Sequence, residues 1–600
     1  MRLRREPSSR TAFLCLAGFA LVSFAIHAAF GTRVHGPTVF SDEMVYERLA
    51  LSIGRDARLA LFDNPGLSYS PLYSFVISPI YALGASAPSA YTLLKIVNAF
   101  LISLAIFPTY KIARVLLPRR LSLVVVGLSV VAPVMTYSSF TMSENLAYPL
   151  CLVSIWAMLE AIRAPSLRND ALLLVSIALA VLARIQLVVL GPAALTAAIL
   201  AAALLGRQTD RGSRRALLRP LQEHGLLFGV AAGVLVAGAA ARAAGHHVSA
   251  AVGSYAAVTT RGFPDVGHFL NLLIRHLAGI ELSVGVIPFV AALVAAYVFL
   301  VRYRRRPEHV AFAAVAFSFT AWLLVEVAFD AALFDTPPTL PRIHERFLIY
   351  VLPLFLTALF ALFLVPEGRA PARAYVIAAA VATVLPAVIP FHTVVNDTIN
   401  VDTFSLEPMS RVARGRLVSL DHATLMAVWI AGTLSFLYVY VRHRLRPIVL
   451  LVLFVFIGIS VLAKGRIEDG GNFARSVLPA RADWVDAAHP VGGVALISSR
   501  RNATRELETA FFNLSISRVF YVCDPILGAE FGEKQVKIDR SGRLRGPTGG
   551  LTAPYFVAPT RLGLGGRVVA RNPNGQQVLV APADGRAAVP PATRAALKCR

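Results

Sequence analysis

Charged side chains are scarce in this 600-residue chain, in which Asp, Glu, Lys and Arg together make up only 15%. Hydrophobic residues make up 56%, and the mean hydropathy is +0.64. The length alone would suggest about four soluble domains. The scarcity of charge excludes that organisation. Repeated apolar runs approach the ~20 residues that a helix needs to cross a hydrocarbon core. The sequence therefore predicts a polytopic α-helical membrane protein.

Acidic residues are scarcer than basic ones, 34 against 58, and the formal net charge is +24. A charge of this size could indicate nucleic-acid binding, but the chain lacks a basic face interleaved with aromatic residues. Its arginines lie mainly in short loops between apolar runs, where they orient membrane spans. We therefore expect a lipid bilayer as a partner, and no nucleic acid.

The chain has only four cysteines and lacks the motifs of soluble enzymes. Cys15 and Cys151 fall in apolar runs, where cysteine behaves as a small hydrophobic residue. Cys523 and Cys599 lie in the tail and could form a disulfide outside the cytoplasm. A P-loop, a paired CxxC and an HExxH sequence are all absent. Nothing in the sequence therefore predicts a soluble-enzyme site.

Thirteen apolar stretches predict membrane-spanning helices. They lie at 11–30, 90–114, 121–138, 145–163, 170–184, 187–205, 225–243, 282–301, 310–329, 347–365, 374–392, 423–441 and 447–463. With the N-terminus in the cytoplasm, every loop on the cytoplasmic side carries arginine, as the positive-inside rule requires. The pattern predicts a multi-pass protein of the plasma membrane, and the odd number of spans places the tail outside the cytoplasm.

Two domains are expected, a transmembrane domain over 1–463 and a soluble one over 464–600. The tail is less hydrophobic, is rich in Gly and Pro, and has short alternating runs typical of strands, so we expect an extracytoplasmic α/β or β-rich domain. A long external loop at 31–89 contains an apolar stretch, Leu72 to Leu83, that is too short to span and suits an interfacial helix. The stretch at 244–281 is expected to be another external loop.

Asp42 and Glu43 are the first candidates for catalysis because they follow the first span closely. Acids in an external loop are often only solvated side chains. A carboxylate at the membrane surface could instead deprotonate an acceptor hydroxyl, which is the work of a general base. Tyr46 lies within one helical turn of the pair, and Tyr73 follows in the same loop.

Three further sites lie at the predicted external ends of spans. Glu144 could stabilise the positive end of its helix or face an external cavity. Arg184, in a tight turn between two apolar halves, could reach towards water or bind an anionic group such as phosphate. His344, Glu345 and Arg346 could form a salt-bridged loop, or their cations could neutralise a leaving phosphate.

At these residues the chain resembles the GT-C glycosyltransferases. The resemblance rests on the Asp42-Glu43 pair after the first span, Tyr46 three residues further on, and the Pro-Leu-Tyr step at 71–73. It covers about the first half of the chain, and the His-Glu-Arg entry to a late span at 344–346 is similar as well. Within that fold family it resembles protein O-mannosyltransferases, aminoarabinose transferases acting on lipid A, and related bacterial polyprenyl-phosphate-sugar transferases.

The resemblance implies an inverting transfer, on the extracytoplasmic face, of a sugar from a polyprenyl-phosphate donor to a hydroxyl of a polysaccharide, lipid or protein. It implies that Asp42 is the base and that Glu43 and Glu144 orient the acceptor or the base. Arg184 and Arg346 would then bind the leaving phosphate. The tyrosines and the remaining residues at 344–345 would line the substrate site.

Two points are left open by the resemblance. The lipid A branch carries Lys in a Lys-Pro step where this chain has Ser70-Pro71, so phosphate binding is expected from other residues. A divalent metal could bind Asp42, Glu144 and His344, although the spacing does not specifically favour one.

Two other classes of protein compete with this interpretation. A transporter or flippase usually places ionisable groups near the bilayer midplane, whereas the acids here lie at outer helix ends. An O-antigen-type ligase normally uses a large late external loop rich in Arg and His. This chain has its carboxylates in the first external loop, which favours the transferase.

Overall fold

The computed structural model describes most of the chain. The described residues are 6–65, 70–206, 220–245, 262–303, 306–334, 342–366, 370–395, 402–414, 419–477, 480–499, 503–526, 531–547 and 549–590. Cys599 lies outside these ranges, so its pairing with Cys523 stays a prediction.

The chain divides into two compact units. The first comprises Met1–His27, Ala99–Tyr137 and Glu144–Arg466. The second comprises Ala28–Asn98, Ser138–Ser143 and Ile467–Arg600, so the first predicted external loop and the tail belong to one unit. The division into a transmembrane and a soluble domain at residue 463 stays a prediction.

Nine helices among the described residues are long and apolar enough to cross a membrane, and the number reaches eleven if each of two bent pairs counts as one span. The nine are Ser9–Gly31, Ala87–Arg114, Glu144–Arg163, Ile185–Leu205, Gly225–Ala243, Pro307–Phe334, Glu345–Leu364, His422–Val441 and Leu445–Phe473. Each coincides with a predicted span. The polytopic helical architecture is therefore confirmed, but the total of thirteen spans and their orientation are not.

The other four predicted spans fall on helices that are short or bent. Leu167–Ala183 has 17 residues, and Ala372–Val388 is a shorter apolar segment. The span predicted at 121–138 is Arg119–Val130 followed by Pro133–Ser139 after a bend of 48°. The span predicted at 282–301 is the second arm of a pair bent by 112°.

The first arm of that pair corrects a prediction, because the stretch at 244–281 was expected to be a loop. Its described part contains the helix Val266–Val284, whose N-terminus is capped by Asp265 accepting a hydrogen bond from the backbone N–H of His268 at 2.7 Å. The helix ends at Gly285, where φ is +85°. Glycine adopts this left-handed conformation without a steric penalty, so the chain can turn sharply there into the helix Val286–Tyr297.

In the second unit, the first predicted external loop folds mainly as helices. The helix Phe40–Asp56 starts where the Glu43 carboxylate accepts from the backbone N–H groups of Thr38 and Val39, at 2.9 and 3.1 Å. It ends at Ala57, which has a left-handed φ of 52°. The predicted short helix is present as Leu72–Ile77 and Pro79–Ala82.

The tail forms the strand-rich region that its composition predicts. A mixed six-stranded sheet has the spatial order Arg567–Arg571, Gln577–Ala581, Tyr555–Pro559, Val494–Ser498, Ile516–Tyr521 and Lys534–Gln535. Two of its neighbouring parallel strands, Val494–Ser498 and Ile516–Tyr521, are joined through the helix Ala503–Phe512. A three-stranded sheet follows at Lys537–Ile538, Leu544–Gly546 and Gly549–Gly550. Apolar side chains such as Phe556 and Val580 are fully buried in the tail core.

Gly54 allows two helices of the second unit to pack at backbone distance. A Cβ at this position would lie 2.5 Å from the carbonyl oxygen of Ser78. We predict that Gly54→Ala lowers the free energy of unfolding by about 1–3 kcal/mol, because overpacking forces the backbone apart. Thermal unfolding of the purified protein measures this. Gly191→Ala is the matched control, since a Cβ there meets no atom within 4 Å, and equal losses for the two variants would contradict the packing.

Candidate functional site

A buried cluster of ion pairs in the first unit brings together three of the predicted site residues. Glu144 Oε1 lies 2.6 Å from Arg184 Nη1 and 3.2 Å from Arg346 Nε. The Glu144 side chain has no exposed surface, and those of Arg184 and Arg346 are 6% and 9% exposed. Ion pairs this deeply buried are screened little by solvent, so Glu144 attracts both guanidinium groups strongly.

Local structure explains how residues so distant in sequence meet. Glu144 is the first residue of its helix, where a carboxylate is favoured by the helix dipole. Arg184 ends the helix Leu167–Ala183 in an extended conformation, with φ −156° and ψ 117°, and its N–H still bonds to Ala180. Arg346 lies in the first turn of another helix. The three charges therefore sit at helix ends.

Asp402 is a member of this cluster that the sequence did not single out. Its Oδ1 lies 3.1 Å from Arg346 Nε, and its Oδ2 accepts a hydrogen bond from Arg342 Nη1 at 3.3 Å. Its backbone carbonyl also accepts from the N–H of Arg346 at 3.0 Å. Burial alone would raise the pKa of Asp402, but neighbouring cations, Arg346 first, hold it below its usual value.

Glu345 also links the segment that carries Arg346 to the segment that carries Asp402. Its Oε2 accepts from the backbone N–H and the hydroxyl of Ser405, at 3.0 and 2.7 Å. The Thr403 hydroxyl donates to the carbonyl of Ile343 at 2.5 Å. The segment before the span Glu345–Leu364 is therefore tied to the segment after residue 401 by side chains and backbone alike. This position suits Glu345 to supporting its neighbour Arg346.

His344 lies in a stack of rings that sequence reasoning did not anticipate. Its ring stacks on Phe347 and on His276, with centroid distances of 5.3 and 5.8 Å. Nδ1 of His276 lies 2.8 Å from the Leu272 carbonyl, and Nε2 accepts from the backbone N–H of His344 at 3.2 Å. These bonds assign His276 a neutral ring with the proton on Nδ1. His276 is fully buried, and it lies on the helix Val266–Val284 within the stretch expected to be an external loop.

The cluster combines guanidinium groups and carboxylates in its described ion pairs. Three guanidinium groups, from Arg184, Arg342 and Arg346, face the two carboxylates of Glu144 and Asp402. Arg184 and Arg346 also lie over the ring of Phe347, with centroid distances of 4.6 and 5.1 Å. Arginines fixed in this way present donors in a rigid fork that matches a phosphate or carboxylate. The cluster is therefore suited to binding an anionic group.

The second unit contains the predicted acid pair. Glu43 is buried, and its Oε2 accepts from the backbone N–H of Thr141 and the hydroxyl of Tyr91, at 3.0 and 3.2 Å. These bonds add to the two at the start of its helix. Burial raises the pKa of Glu43 despite them. In contrast, Asp42 is only partly buried, so it is the accessible carboxylate of the pair.

The two predicted tyrosines lie close together, Tyr46 on the helix Phe40–Asp56 and Tyr73 on the helix Leu72–Ile77. Tyr46 and Tyr73 meet edge to face at 5.4 Å between ring centroids. The Tyr46 hydroxyl donates to Ser143 Oγ at 2.8 Å, and that of Tyr73 donates to Asn98 Oδ1 at 2.8 Å. Both rings are buried. Their observed contacts are with the protein, and their role towards a substrate stays a prediction.

The predicted site residues thus fall in two groups. Glu144, Arg184, His344, Glu345 and Arg346 belong to the first unit, and Asp42, Glu43, Tyr46 and Tyr73 to the second. Within the described part of the chain, no three His, Cys, Asp or Glu side chains are grouped to hold a metal ion. The metal considered from the sequence therefore has no ligand set among these residues.

Known proteins resemble this chain in sequence and in fold. Residues 64–210, which include Tyr73, Glu144 and Arg184, match the family model described as dolichyl-phosphate-mannose-protein mannosyltransferase. The fold is similar to that of ArnT from Cupriavidus metallidurans, solved bound to undecaprenyl phosphate, with a TM-score of 0.51 and 16% identity. That alignment covers 96% of this chain and 98% of ArnT. No curated protein matches the chain in sequence.

Two further solved structures align less well. The oligosaccharyltransferase from Archaeoglobus fulgidus has a TM-score of 0.41 at 14% identity, covering 91% of this chain and 70% of its own. Arabinosyltransferase EmbB from Mycobacterium smegmatis has a TM-score of 0.39 at 14% identity, covering 79% and 42%. The similarity to ArnT defines the fold without these two. The predicted resemblance to GT-C glycosyltransferases is confirmed by the family match and by the fold.

Asp402 provides a test of the cluster that does not depend on activity. We predict that Asp402→Asn lowers the free energy of unfolding at pH 7 by about 3 kcal/mol, because a buried cation loses its charged partner. A carboxylate with a lowered pKa stabilises the fold above its unfolded pKa, and this contribution is lost as the pH falls through the folded value. The deficit of the variant should therefore shrink below about pH 4.

Thermal unfolding of both proteins across this pH range measures the effect. Asp265→Asn is the control, since Asn also caps helices well, and it should stay near wild type. A deficit of Asp402→Asn that is independent of pH would contradict the ion pairs.

Proposed function

We propose that the protein transfers a sugar from a polyprenyl-phosphate donor to an acceptor hydroxyl on the extracytoplasmic face, with inversion at the anomeric carbon. The observation that carries this proposal is the buried arginine cluster around Glu144. Its two guanidinium groups lie at the ends of helices, in a chain whose fold is similar to that of ArnT, a protein solved with undecaprenyl phosphate. A phosphate joined to a membrane-embedded lipid needs such a site.

The proposed reaction is a single displacement. The acceptor oxygen forms a bond to the anomeric carbon while the bond from that carbon to the phosphate oxygen breaks. The acceptor proton passes to the carboxylate of Asp42, and the electron pair leaves with polyprenyl phosphate. A general base contributes about 10²–10⁴-fold to such a step. The partial exposure of Asp42 supports this assignment, because the buried Glu43 is already bonded to backbone and tyrosine donors.

The leaving phosphate is assigned to Arg184 and Arg346. Negative charge develops on the phosphate as the bond breaks, and fixed guanidinium groups in a buried site stabilise that charge without reorganising. Glu144 holds both guanidinium groups in place. The chemistry of these groups fits the phosphate of the donor whichever sugar it carries, and it fits a polysaccharide, a lipid or a protein as the acceptor.

Asp42→Asn tests the proposal most simply. Purified protein is incubated with several polyprenyl-phosphate sugars, and transfer or donor hydrolysis is measured. We predict that Asp42→Asn lowers kcat by at least about 10²-fold, because the amide cannot accept the proton. The matched control is Asp56→Asn, an exposed aspartate at the other end of the same helix, which should keep wild-type kcat.

Full activity of Asp42→Asn would remove it as the base. A wild-type protein that moves a solute or lipid across liposomes without any sugar transfer would favour the transporter instead.

A further inference from the structure

Arg48 is a buried arginine that the proposed reaction does not use. It lies on the helix Phe40–Asp56, the helix that carries Asp42, and it is only 2% exposed. Its guanidinium donates to three backbone carbonyls of the tail, those of Ile516 at 3.2 Å, Asn513 at 3.0 Å and Ala510. All of these residues belong to the second unit. A link of this kind joins parts of the chain more than 460 residues apart.

The receiving end of this link is the C-terminus of the tail helix Ala503–Phe512. The last carbonyls of a helix have no partner within it and carry partial negative charge, so a cation there satisfies both needs. Asn513 is itself held, because its Oδ1 accepts from the backbone N–H of Val485 at 2.8 Å. Arg48 therefore caps the C-terminus of the tail helix from a helix that is distant in sequence. It binds at a turn that the Asn513 side chain holds in place.

Further contacts join the residues that follow the helix Phe40–Asp56 to the tail. The backbone N–H of Asp63 donates to the carbonyl of Ser517 at 2.8 Å. The ring of Phe62 lies 4.8 Å from the Arg48 guanidinium and packs against Phe531, at 6.3 Å between centroids. Because the cation is enclosed by carbonyls and an aromatic ring, a side chain without its fork of donors would leave buried acceptors unsatisfied.

We propose that the tail is the positioning element for the helix that carries Asp42, and that Arg48 is the residue through which it acts. The importance of this position for catalysis rests on the proposed function. Asp42 lies in the first turn of the helix, and Arg48 lies six residues further along. Loss of the Arg48 bonds would free the helix to move relative to the tail, and general-base catalysis loses rate when its geometry is imprecise. Arg48 touches no reacting atom in this scheme, so it is a positioning residue.

The experiment compares full-length Arg48→Met with wild type by hydrogen–deuterium exchange in detergent or nanodiscs. We expect at least tenfold faster exchange within 40–56 and within 503–516, with unchanged exchange in the described spans of the first unit. Arg55→Met is the matched control, because Arg55 is on the same helix but exposed, and it should exchange like wild type. Arg48→Lys keeps the charge and loses the fork, so it should recover part of the protection.

Kinetics then separate positioning from general damage. With a polyprenyl-phosphate sugar as the donor, Arg48→Met should lower kcat at least tenfold and leave the KM for the donor within twofold, because Arg184 and Arg346 are intact. Wild-type exchange in both segments, or raised exchange with wild-type kcat, would overturn the proposal. Exchange raised evenly over the whole chain would overturn it too, since that is the result of global destabilisation.

The two proposals can fail separately. If wild-type protein transfers no sugar but Arg48→Met still raises exchange only within 40–56 and 503–516, the proposed function fails and the link between tail and helix is upheld.

Discussion

The structure of the first unit depends on one buried carboxylate. Glu144 has no exposed side-chain surface, and an unpaired carboxylate in such a place would be strongly disfavoured. Arg184 and Arg346 neutralise it from the ends of two other helical segments, so the positions of three helix ends are linked. Removing one partner of a buried ion pair typically costs about 3–5 kcal/mol. This constraint keeps two guanidinium groups fixed, and fixed guanidinium groups are what an anionic ligand requires.

The second unit meets the same physical problem with hydrogen bonds. Glu43 and Glu47 are both fully buried. Glu43 is stabilised by backbone N–H groups and the Tyr91 hydroxyl, and burial raises the pKa of Glu47 to about 8. Asp42 is the carboxylate of this helix turn that keeps access to solvent. Asp42 and Glu43 are neighbours in sequence but differ in burial. Glu43 therefore has a structural role, and Asp42 is the candidate base. That distinction is invisible in the sequence, where the two look alike.

Sequence reasoning found the spans because the period and length of apolar runs are local properties. The span at Gly225–Ala243 was predicted to the residue. The helix Val266–Val284 was missed because its histidines, arginine and glutamate look like a loop until Gly285 is known to turn the chain. Glu144, Arg184 and Arg346 were recognised as charges at apolar ends. Their partner Asp402 was missed because its role arises from contacts with residues about 60 positions away, and no local pattern records them.

The most direct measurement is the affinity of the purified protein for undecaprenyl phosphate without a sugar, determined with undecaprenol as the control lipid. We predict that the phosphate form binds at least tenfold more tightly than the alcohol. The double variant Glu144→Gln, Arg184→Gln, which removes both charges of one pair, should lose most of this difference. Arg163→Gln, at a more exposed helix end, should retain it. Equal affinity for the two lipids, or full discrimination by the double variant, would contradict a phosphate site in the arginine cluster.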